Sequence, residues 1–340
     1  MLAAAVVIAF VGATLVDGTG AAPVPDAVVV VQYGRISAVG SRSTTPVPAG
    51  AERVDVSGRY LIPGLTNLHV QLTGGNPRER LADLLRYGVT TAKQVGDFDG
   101  DLHRLQADID RGDVPGPRLF TTGAPVDGTA AASIEDVGDA RTAVRRALAS
   151  DPQFIQIGRF IGEAALDAIV DEAEQHGLKV VGNAPSTFEP RIALGKGQYG
   201  FEGADARIDA AAFASAMSGA RAYFAPLLSE SPASAGPLAS AMHRAGALVV
   251  AGAASGGDGL HRELQLLVQA GLSASDAIKC AAANAATALL APGDFGAIAV
   301  GARADLVVLS ADPLRDIENT RSIVAVYKAG RRVSGPLPRR

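Results

Sequence analysis

Asn67, His69 and Gln71 alternate along a short apolar segment, and their side chains are of types that could do chemistry together. In a β-strand, residues i and i+2 point to the same face, so these three side chains would converge on one site. The imidazole of His69 can bind a metal or exchange a proton near neutral pH. Glutamine, in contrast, is a poor ligand for a transition metal beside imidazole. The segment therefore predicts a polar site with one imidazole and an incomplete set of metal ligands.

Lys93 and Glu202 are charged residues predicted at the ends of other strands. Burial would lower the pKa of Lys93 and make it a base or a Schiff-base former, and a salt bridge to Asp97 or Glu202 is the structural alternative. Burial would raise the pKa of Glu202 and suit it to proton shuttling. We therefore take His69, Lys93 and Glu202 as candidate catalytic residues. The alternative for His69 is a structural role, with neighbouring amides as its hydrogen-bond partners.

Seven further side chains are candidates for contacts with a substrate. Gln71, Gln156 and Asn183 carry amides, which have both donors and acceptors and would keep a cavity polar and uncharged. A carbonyl compound, a lactone or a polyol would suit such a cavity. The other candidates are Arg159, Tyr223, Asp258 and His261. The last two follow the eighth predicted strand across a Gly-rich turn at 256–259, and helix capping and packing are their alternative roles.

Short apolar strands alternate with amphipathic helical patterns through the middle of the chain. The predicted strands cover residues 65–72, 88–95, 118–122, 154–157, 179–182, 200–202, 222–225 and 247–251. Ser273 and Asp276 resemble a capping box at the start of the last helix of this region. Eight alternating units predict an α/β fold, a closed (β/α)8 TIM-like barrel, whose active groups lie at the C-terminal ends of the strands.

Both ends of the sequence show short β-strand patterns outside this alternation. Residues 1–62 and 300–335 are therefore predicted to form one small β-sandwich domain built from both termini. The barrel would then occupy residues 63–299.

Composition limits the classes of partner. The 340 residues are 48% hydrophobic, with a formal net charge of −4, which gives no reason to expect nucleic acid or an anionic membrane surface. A single cysteine, Cys280, excludes intramolecular disulfides. The apolar start lacks a basic n-region, and no apolar run reaches the roughly 18 residues of a membrane-spanning helix. We expect a cytoplasmic protein, with a trimmed export signal as the alternative. The expected partner is a small molecule, and homo-oligomerisation is left open.

Nearly the whole chain resembles the imidazolonepropionase-like branch of the amidohydrolase superfamily. The resemblance rests on the apolar lead-in 60–65 before Asn67, on Gly88-Val89-Thr90-Thr91, on residues 260–272 and on the closing segments 301–309 and 312–314. It implies a TIM-like barrel with a β-sandwich domain. In the family, this fold holds metal ions that activate water for hydrolysis.

The resemblance also implies that most of the family's metal ligands are replaced in this chain. The family's first metal-binding motif is Asp-x-His-x-His, and the resemblance places its second His at Gln71. It places the carboxylated Lys of strand four at Gln156 and the His of strand five at Asn183. The ligands of strands six and eight would lie in 201–203 and 252–256, which contain no His and no Asp, respectively. A lone imidazole does not hold a divalent ion against water and chelators. The sequence therefore predicts no metal and no other cofactor.

Three functions remain open from the sequence. The leading hypothesis is a metal-independent enzyme that acts on a small organic molecule by acid–base chemistry, as a lyase, dehydratase, isomerase or cyclase. His69 would carry the proton, with Glu202 or Lys93 as its partner. The second is a non-catalytic binding protein, or pseudoenzyme, that uses the polar cavity. The third is residual hydrolysis by direct base catalysis, in a natural or an engineered chain.

Overall fold

The computed structural model describes residues 7–72, 76–96, 102–204 and 208–335. In chain order, the strands are β1 (Ile8–Leu15), β2 (Val24–Gln32), β3 (Arg35–Ser41), β4 (Glu52–Asp55), β5 (Tyr60–Pro63), β6 (Leu65–Val70), β7 (Val89–Gln94), β8 (Arg118–Thr121), β9 (Phe154–Ile157), β10 (Lys179–Gly182), β11 (Gly200–Glu202), β12 (Tyr223–Ala225), β13 (Leu248–Val249), β14 (Leu306–Leu309), β15 (Ile323–Lys328) and β16 (Arg331–Ser334). The helices are α1 (Pro77–Arg86), α2 (Leu102–Arg111), α3 (Val137–Leu148), α4 (Glu163–Gln175), α5 (Pro190–Gly195), α6 (Ala210–Ser218), α7 (Pro232–Arg244), α8 (Gly256–Gln269), α9 (Ala274–Cys280) and α10 (Ala283–Ala288), and a 3-10 helix covers Ile317–Arg321.

Strands β6 to β13 are the eight parallel strands of an α/β barrel. They form two hydrogen-bonded groups, β6-β7-β8 and β9-β10-β11-β12-β13. Backbone hydrogen bonds link the groups at both junctions, from Gln153 N to Thr121 O (2.9 Å) and from Leu68 N to Ala251 O (3.2 Å). The eight strands thus close into a ring, as predicted, and the C-terminal ends of all eight lie at one face.

The strands from both ends of the chain form a single mixed sheet. Its order is β16-β15-β14-β5-β1-β2-β3, and β4 pairs with β1. The rings of Phe10 in β1 and Tyr327 in β15 lie 4.7 Å apart between centroids. Two strands separate β1 from β15, a span of roughly 14 Å in a flat sheet. The sheet therefore curls on itself and encloses an apolar core without a second sheet.

Local signals in the sequence set the helix boundaries. Asn76 accepts a hydrogen bond from Arg78 N and precedes Pro77, a pairing that starts α1. The predicted capping interaction of Ser273 is present, because its Oγ accepts from Asp276 N at 3.0 Å. The predicted Gly-rich turn at 256–259 is instead the first turn of α8. None of the helices in the described ranges is long and apolar enough to cross a membrane.

Candidate active site

The side chains of His69, Lys93 and Glu202 meet inside the barrel. They lie on β6, β7 and β11, and the barrel joins these strands although more than a hundred residues separate the first from the last. His69 Nδ1 lies 2.7 Å from Glu202 Oε2, and Lys93 Nζ donates to Glu202 Oε1. Lys93 is fully buried and Glu202 is 1% exposed, whereas the His69 side chain is 10% exposed. His69 is therefore the member of this cluster that faces outward.

Tyr223 was a candidate for contact with a substrate, but the structure buries it as the fourth member of the cluster. Its hydroxyl accepts from Lys93 Nζ at 2.8 Å and donates to Glu202 Oε1 at 2.5 Å. Lys93 Nζ also lies 5.5 Å from the centroid of the Tyr223 ring and 5.9 Å from that of Phe154, within range of cation–π attraction. Gly200 makes room for the phenol, since a Cβ there would lie 2.4 Å from the Tyr223 ring.

The charges of the cluster follow from its contacts. Burial would raise the pKa of Glu202, but the Lys93 ammonium and the His69 hydrogen bond outweigh it and lower that pKa to about 2. The predicted upward shift is therefore wrong in direction. Burial lowers the pKa of Lys93, as predicted, and the Glu202 carboxylate opposes this change. Burial and the Glu202 charge raise the pKa of Tyr223, which keeps it a neutral donor. The interior thus holds an ion pair and a phenol.

Asn67 fixes the backbone that carries His69. Its Oδ1 accepts from His69 N at 3.1 Å and from Ala253 N at 2.9 Å. Its Nδ2 donates to Ala253 O at 2.9 Å. The side chain is fully buried and ties the end of β6 to the segment after β13. Its amide therefore serves the fold and is not available to a ligand.

The side-chain amides of Gln156 and Asn183 each form some of their hydrogen bonds within the protein. Gln156 Oε1 accepts from Gly96 N at 2.7 Å and from Thr122 Oγ1 at 3.1 Å. Asn183 Nδ2 donates to Glu202 O at 2.9 Å. Within the part of the chain that is described, Gln156 Nε2 and Asn183 Oδ1 make no hydrogen bond. The site therefore presents one unpaired donor group and one unpaired acceptor.

Gln71, Arg159, Asp258 and His261 lie outside the cluster. Gln71 and Arg159 are exposed. Asp258 is exposed and pairs with Arg321 at 2.9 Å, on the outer face of α8. His261 is fully buried between Thr320 Oγ1 (2.8 Å) and Tyr87 O (3.0 Å), where burial lowers its pKa to about 4. Asp258 and His261 thus join α8 to neighbouring helices, the structural alternative considered for them, and Asp97 lies outside the described residues.

Sequence reasoning missed two residues near the cluster, Leu227 and Glu263. Leu227 follows β12, and Glu263 lies on α8 with its carboxylate hydrogen-bonded to the backbone just after Leu227. The available signal was a glutamate on the apolar face of a helix, between Leu260 and Leu264. Such a position requires a specific partner, because burial of an unpaired carboxylate is costly.

The donors of this interior do not fit the divalent metal ions of the amidohydrolase family. No group of three or more His, Cys, Asp or Glu side chains in the described ranges is arranged to hold a metal ion. The carboxylate nearest to His69 is already engaged by an ammonium group, which repels a second cation. The positive charge that balances Glu202 in this site is therefore the Lys93 ammonium.

Comparisons with known proteins agree with the fold. Residues 232–333 match the model of the Amidohydrolase family. A 5-methylthioadenosine/S-adenosylhomocysteine deaminase of Symbiobacterium thermophilum is 46% identical over 59 residues, which span 17% of this chain and only 14% of that protein. A putative prolidase from Bifidobacterium longum has a similar structure, with a TM-score of 0.87, 26% identity and coverage of 98% of this chain and 96% of that one.

A Xaa-Pro dipeptidase with bound methionine also has a similar structure, with a TM-score of 0.84, 18% identity and coverage of 97% of this chain and 100% of that one. At this identity the likeness concerns the fold alone. The structural relatives are thus of the prolidase type, and the predicted imidazolonepropionase-like branch stays a prediction. The fold, and the sequence of the C-terminal third, are thus similar to those of the amidohydrolase superfamily.

Proposed function

We propose that this protein is a hydrolase of a small organic molecule, in which His69 activates water directly as a general base. The observation that carries the proposal is the pairing of His69 Nδ1 with the buried Glu202, while His69 Nε2 makes no hydrogen bond within the described ranges. A carboxylate behind Nδ1 favours the tautomer whose free Nε2 accepts a proton. Nε2 would take a proton from water as the hydroxyl attacks the substrate, and would return it to the leaving group.

Lys93 and Tyr223 act in this proposal through Glu202. Both are fully or almost fully buried behind the carboxylate, so neither reaches a substrate. Their hydrogen bonds keep Glu202 ionised and fixed in orientation. Glu202 in turn stabilises the imidazolium that forms when His69 accepts the proton.

The substrate is proposed to be an uncharged carbonyl compound. Gln156 Nε2 offers a donor for a carbonyl oxygen and Asn183 Oδ1 offers an acceptor for an N–H or O–H group. Gln156 lies on β9 and Asn183 directly follows the neighbouring strand β10, in which Gln156 pairs with Val181. Neutral amides give no charge with which to bind an anionic substrate.

Hydrolysis fits this site better than the lyase, dehydratase, isomerase or cyclase chemistry of our leading sequence hypothesis. Those reactions usually need a positioned acid and a positioned base, whereas His69 is the proton carrier of the cluster that faces outward. One base and one water are sufficient for hydrolysis of an activated carbonyl. The solved relatives named above as a prolidase and a dipeptidase also support hydrolysis.

The test is a substrate screen with metal controls. Uncharged amides, esters, carbamates and lactones are incubated with the protein in the presence of a chelator, and products are followed by mass spectrometry. We expect turnover that His69→Asn lowers by about 10²- to 10⁴-fold, while His176→Asn, a change at an exposed histidine, leaves it unchanged. Turnover that disappears with the chelator and returns with one equivalent of zinc would overturn the metal-independent mechanism. Binding of a probe without conversion would support the pseudoenzyme alternative.

A further inference from the structure

We infer that Glu263 is a positioning residue of the candidate active site, and that it holds Leu227 as an apolar wall beside His69. The inference rests on the proposed role of His69 and adds a specificity element to the pocket. It assigns to the substrate an apolar group that packs on Leu227.

The Glu263 carboxylate accepts two hydrogen bonds from backbone N–H groups of the turn after β12. Its Oε1 accepts from Leu228 N at 2.9 Å and its Oε2 accepts from Ser229 N at 3.0 Å. The residue is fully buried on α8, and the described ranges contain no ion pair for it. Two backbone donors on two oxygens of one carboxylate fix both the position and the direction of this turn.

Leu227 has a backbone conformation that needs such support. Its φ is +50°, in the left-handed region that side chains with a Cβ rarely adopt. Residues in this region persist where the surrounding structure holds them, and they are enriched at functional sites. The two hydrogen bonds to Glu263 begin at the next residue and fix the turn that carries Leu227.

The side chain of Leu227 connects the two sides of the site. Its Cδ2 lies 3.0 Å from where a Cβ on Gly252 would be, and that same point lies 3.0 Å from His69 Cβ. Its Cδ1 lies 4.0 Å from where a Cβ on Gly203 would be, a point 3.5 Å from Asn183 Nδ2. Leu227 therefore lies beside Gly252 and Gly203, the two glycines that also adjoin His69 and Asn183, and the missing side chains of these glycines leave space for it.

An apolar wall at this place has two consequences for the chemistry. It limits water around His69, which strengthens the His69–Glu202 interaction. It also favours a substrate with an apolar group beside the carbonyl that Gln156 and Asn183 recognise. A displaced turn would move this wall while leaving the ion pair of Lys93 and Glu202 intact.

The two hydrogen bonds from Leu228 N and Ser229 N to the Glu263 carboxylate form a clamp on this turn. A graded set of variants tests this clamp without a substrate. Glu263→Gln keeps one acceptor oxygen, Glu263→Leu keeps none, and Glu172→Leu is the matched control at a buried glutamate that bonds Arg145 on another pair of helices. Hydrogen exchange of the Leu228 and Ser229 amides is measured by NMR. Each lost hydrogen bond to the carboxylate should speed exchange by about 10- to 100-fold, at one amide in the Gln variant and at both in the Leu variant. Unchanged exchange in the Gln variant, or equal acceleration in Glu172→Leu, would overturn the clamp.

The link to the active site has its own measurement. The ring signals of His69 should shift in Glu263→Leu and in Leu227→Ala, and stay in place in Glu172→Leu. Unmoved His69 signals together with fast exchange at Leu228 and Ser229 would reduce Glu263 to a structural residue. Both readings are independent of turnover, so failure of the hydrolase proposal in the substrate screen is distinguishable from failure of this inference. On a substrate found in that screen, Leu227→Ala should raise KM more than it lowers kcat.

Discussion

Two buried glutamates in this protein, Glu202 in the barrel and Glu263 on α8, carry carboxyl groups with opposite titration behaviour. Both are at most 1% exposed. Lys93 and His69 overcome the effect of burial at Glu202 and hold its pKa at about 2. Glu263 is bonded by neutral donors, the backbone N–H groups of Leu228 and Ser229 and the Ser229 side chain, and burial raises its pKa to about 7 despite them, with a further contribution from Glu230.

The difference shows that the partner, more than burial, decides whether a carboxylate stays charged. A cation in contact offsets the loss of hydration, whereas neutral donors do so only in part. His261, two residues before Glu263, fits the same rule. Burial without a contacting carboxylate lowers its pKa to about 4. The barrel interior therefore keeps the charge of Glu202 near neutral pH, whereas on α8 burial favours the neutral forms of Glu263 and His261.

Removal of Lys93 should have the largest effect on this contrast. Lys93→Met leaves Glu202 buried without its ammonium, which should lower the free energy of unfolding by about 3–5 kcal/mol. The pKa of Glu202 should rise toward that of Glu263. Urea unfolding of the variant and of wild type at pH 7 measures the loss.

The control is the double variant Lys93→Met with Glu202→Gln. Because it removes both charges, it should be more stable than Lys93→Met alone, and the double-mutant cycle gives the coupling energy. A double variant less stable than the single one would mean that the ion pair is not the source of the loss.

Replacement of Glu263 should change how stability depends on pH. Its folded pKa of about 7 lies above the usual value of 4.5, so the folded state holds a proton that the unfolded state has released between these pH values. The contribution of Glu263 to the free energy of unfolding is therefore present at low pH and is lost as pH rises through this window, by up to about 3 kcal/mol. Glu263→Gln should remove this dependence in urea titrations at pH 5 and pH 8. Parallel pH profiles of wild type and variant would contradict the assignment.

His261 should contribute in the opposite direction. Its folded pKa of about 4 lies below the usual 6.5, so the unfolded state binds a proton first as pH falls. The protein should lose up to about 3 kcal/mol of stability from this group between pH 6.5 and pH 4. His261→Gln should flatten that decrease, measured by thermal or urea unfolding across the same range. A steeper decrease in the variant would show that His261 is charged in the folded state.

Much of the barrel was readable from local patterns, because an apolar strand and the polar residue at its end are adjacent in sequence. His69, Lys93 and Glu202 were predicted in this way. A Lys93–Glu202 salt bridge was one of the alternatives considered for Lys93, and the structure contains it. The depth of the cluster and its remaining contacts were not predicted, because these depend on how distant strands are placed beside one another. Tyr223 lies inside because Gly200 on the neighbouring strand has no side chain. The direction of the Glu202 pKa shift failed for the same reason, since burial is a local expectation and the cation comes from another strand.

The terminal sheet and α8 show further limits of a single sequence. Strand patterns at both ends predicted that the termini combine, but pairing of β5 with β1 and β14 in one curled sheet depends on contacts over hundreds of residues. Glycines at 256–259 favour a turn locally, yet packing of α8 on the barrel extends the helix through them. In both cases tertiary contacts decide between local alternatives.

The smallest effect is expected from the phenol of Tyr223, and it tests whether the ion pair or the whole network holds the cluster. Tyr223→Phe removes one hydrogen bond to Glu202 and one from Lys93, but those two groups still bind each other. The free energy of unfolding should therefore fall by about 1–2 kcal/mol, which is less than the decrease expected for Lys93→Met. Tyr199→Phe is the control, because its hydroxyl makes one neutral bond to Thr287 O at 3.2 Å and its ring lies beside Tyr223. Urea unfolding ranks the three variants. If Tyr223→Phe destabilises the protein as much as Lys93→Met, the Glu202 charge depends on the phenol as much as on the ammonium. The difference in pKa between Glu202 and Glu263 would then rest on the number of donors rather than on the presence of a cation.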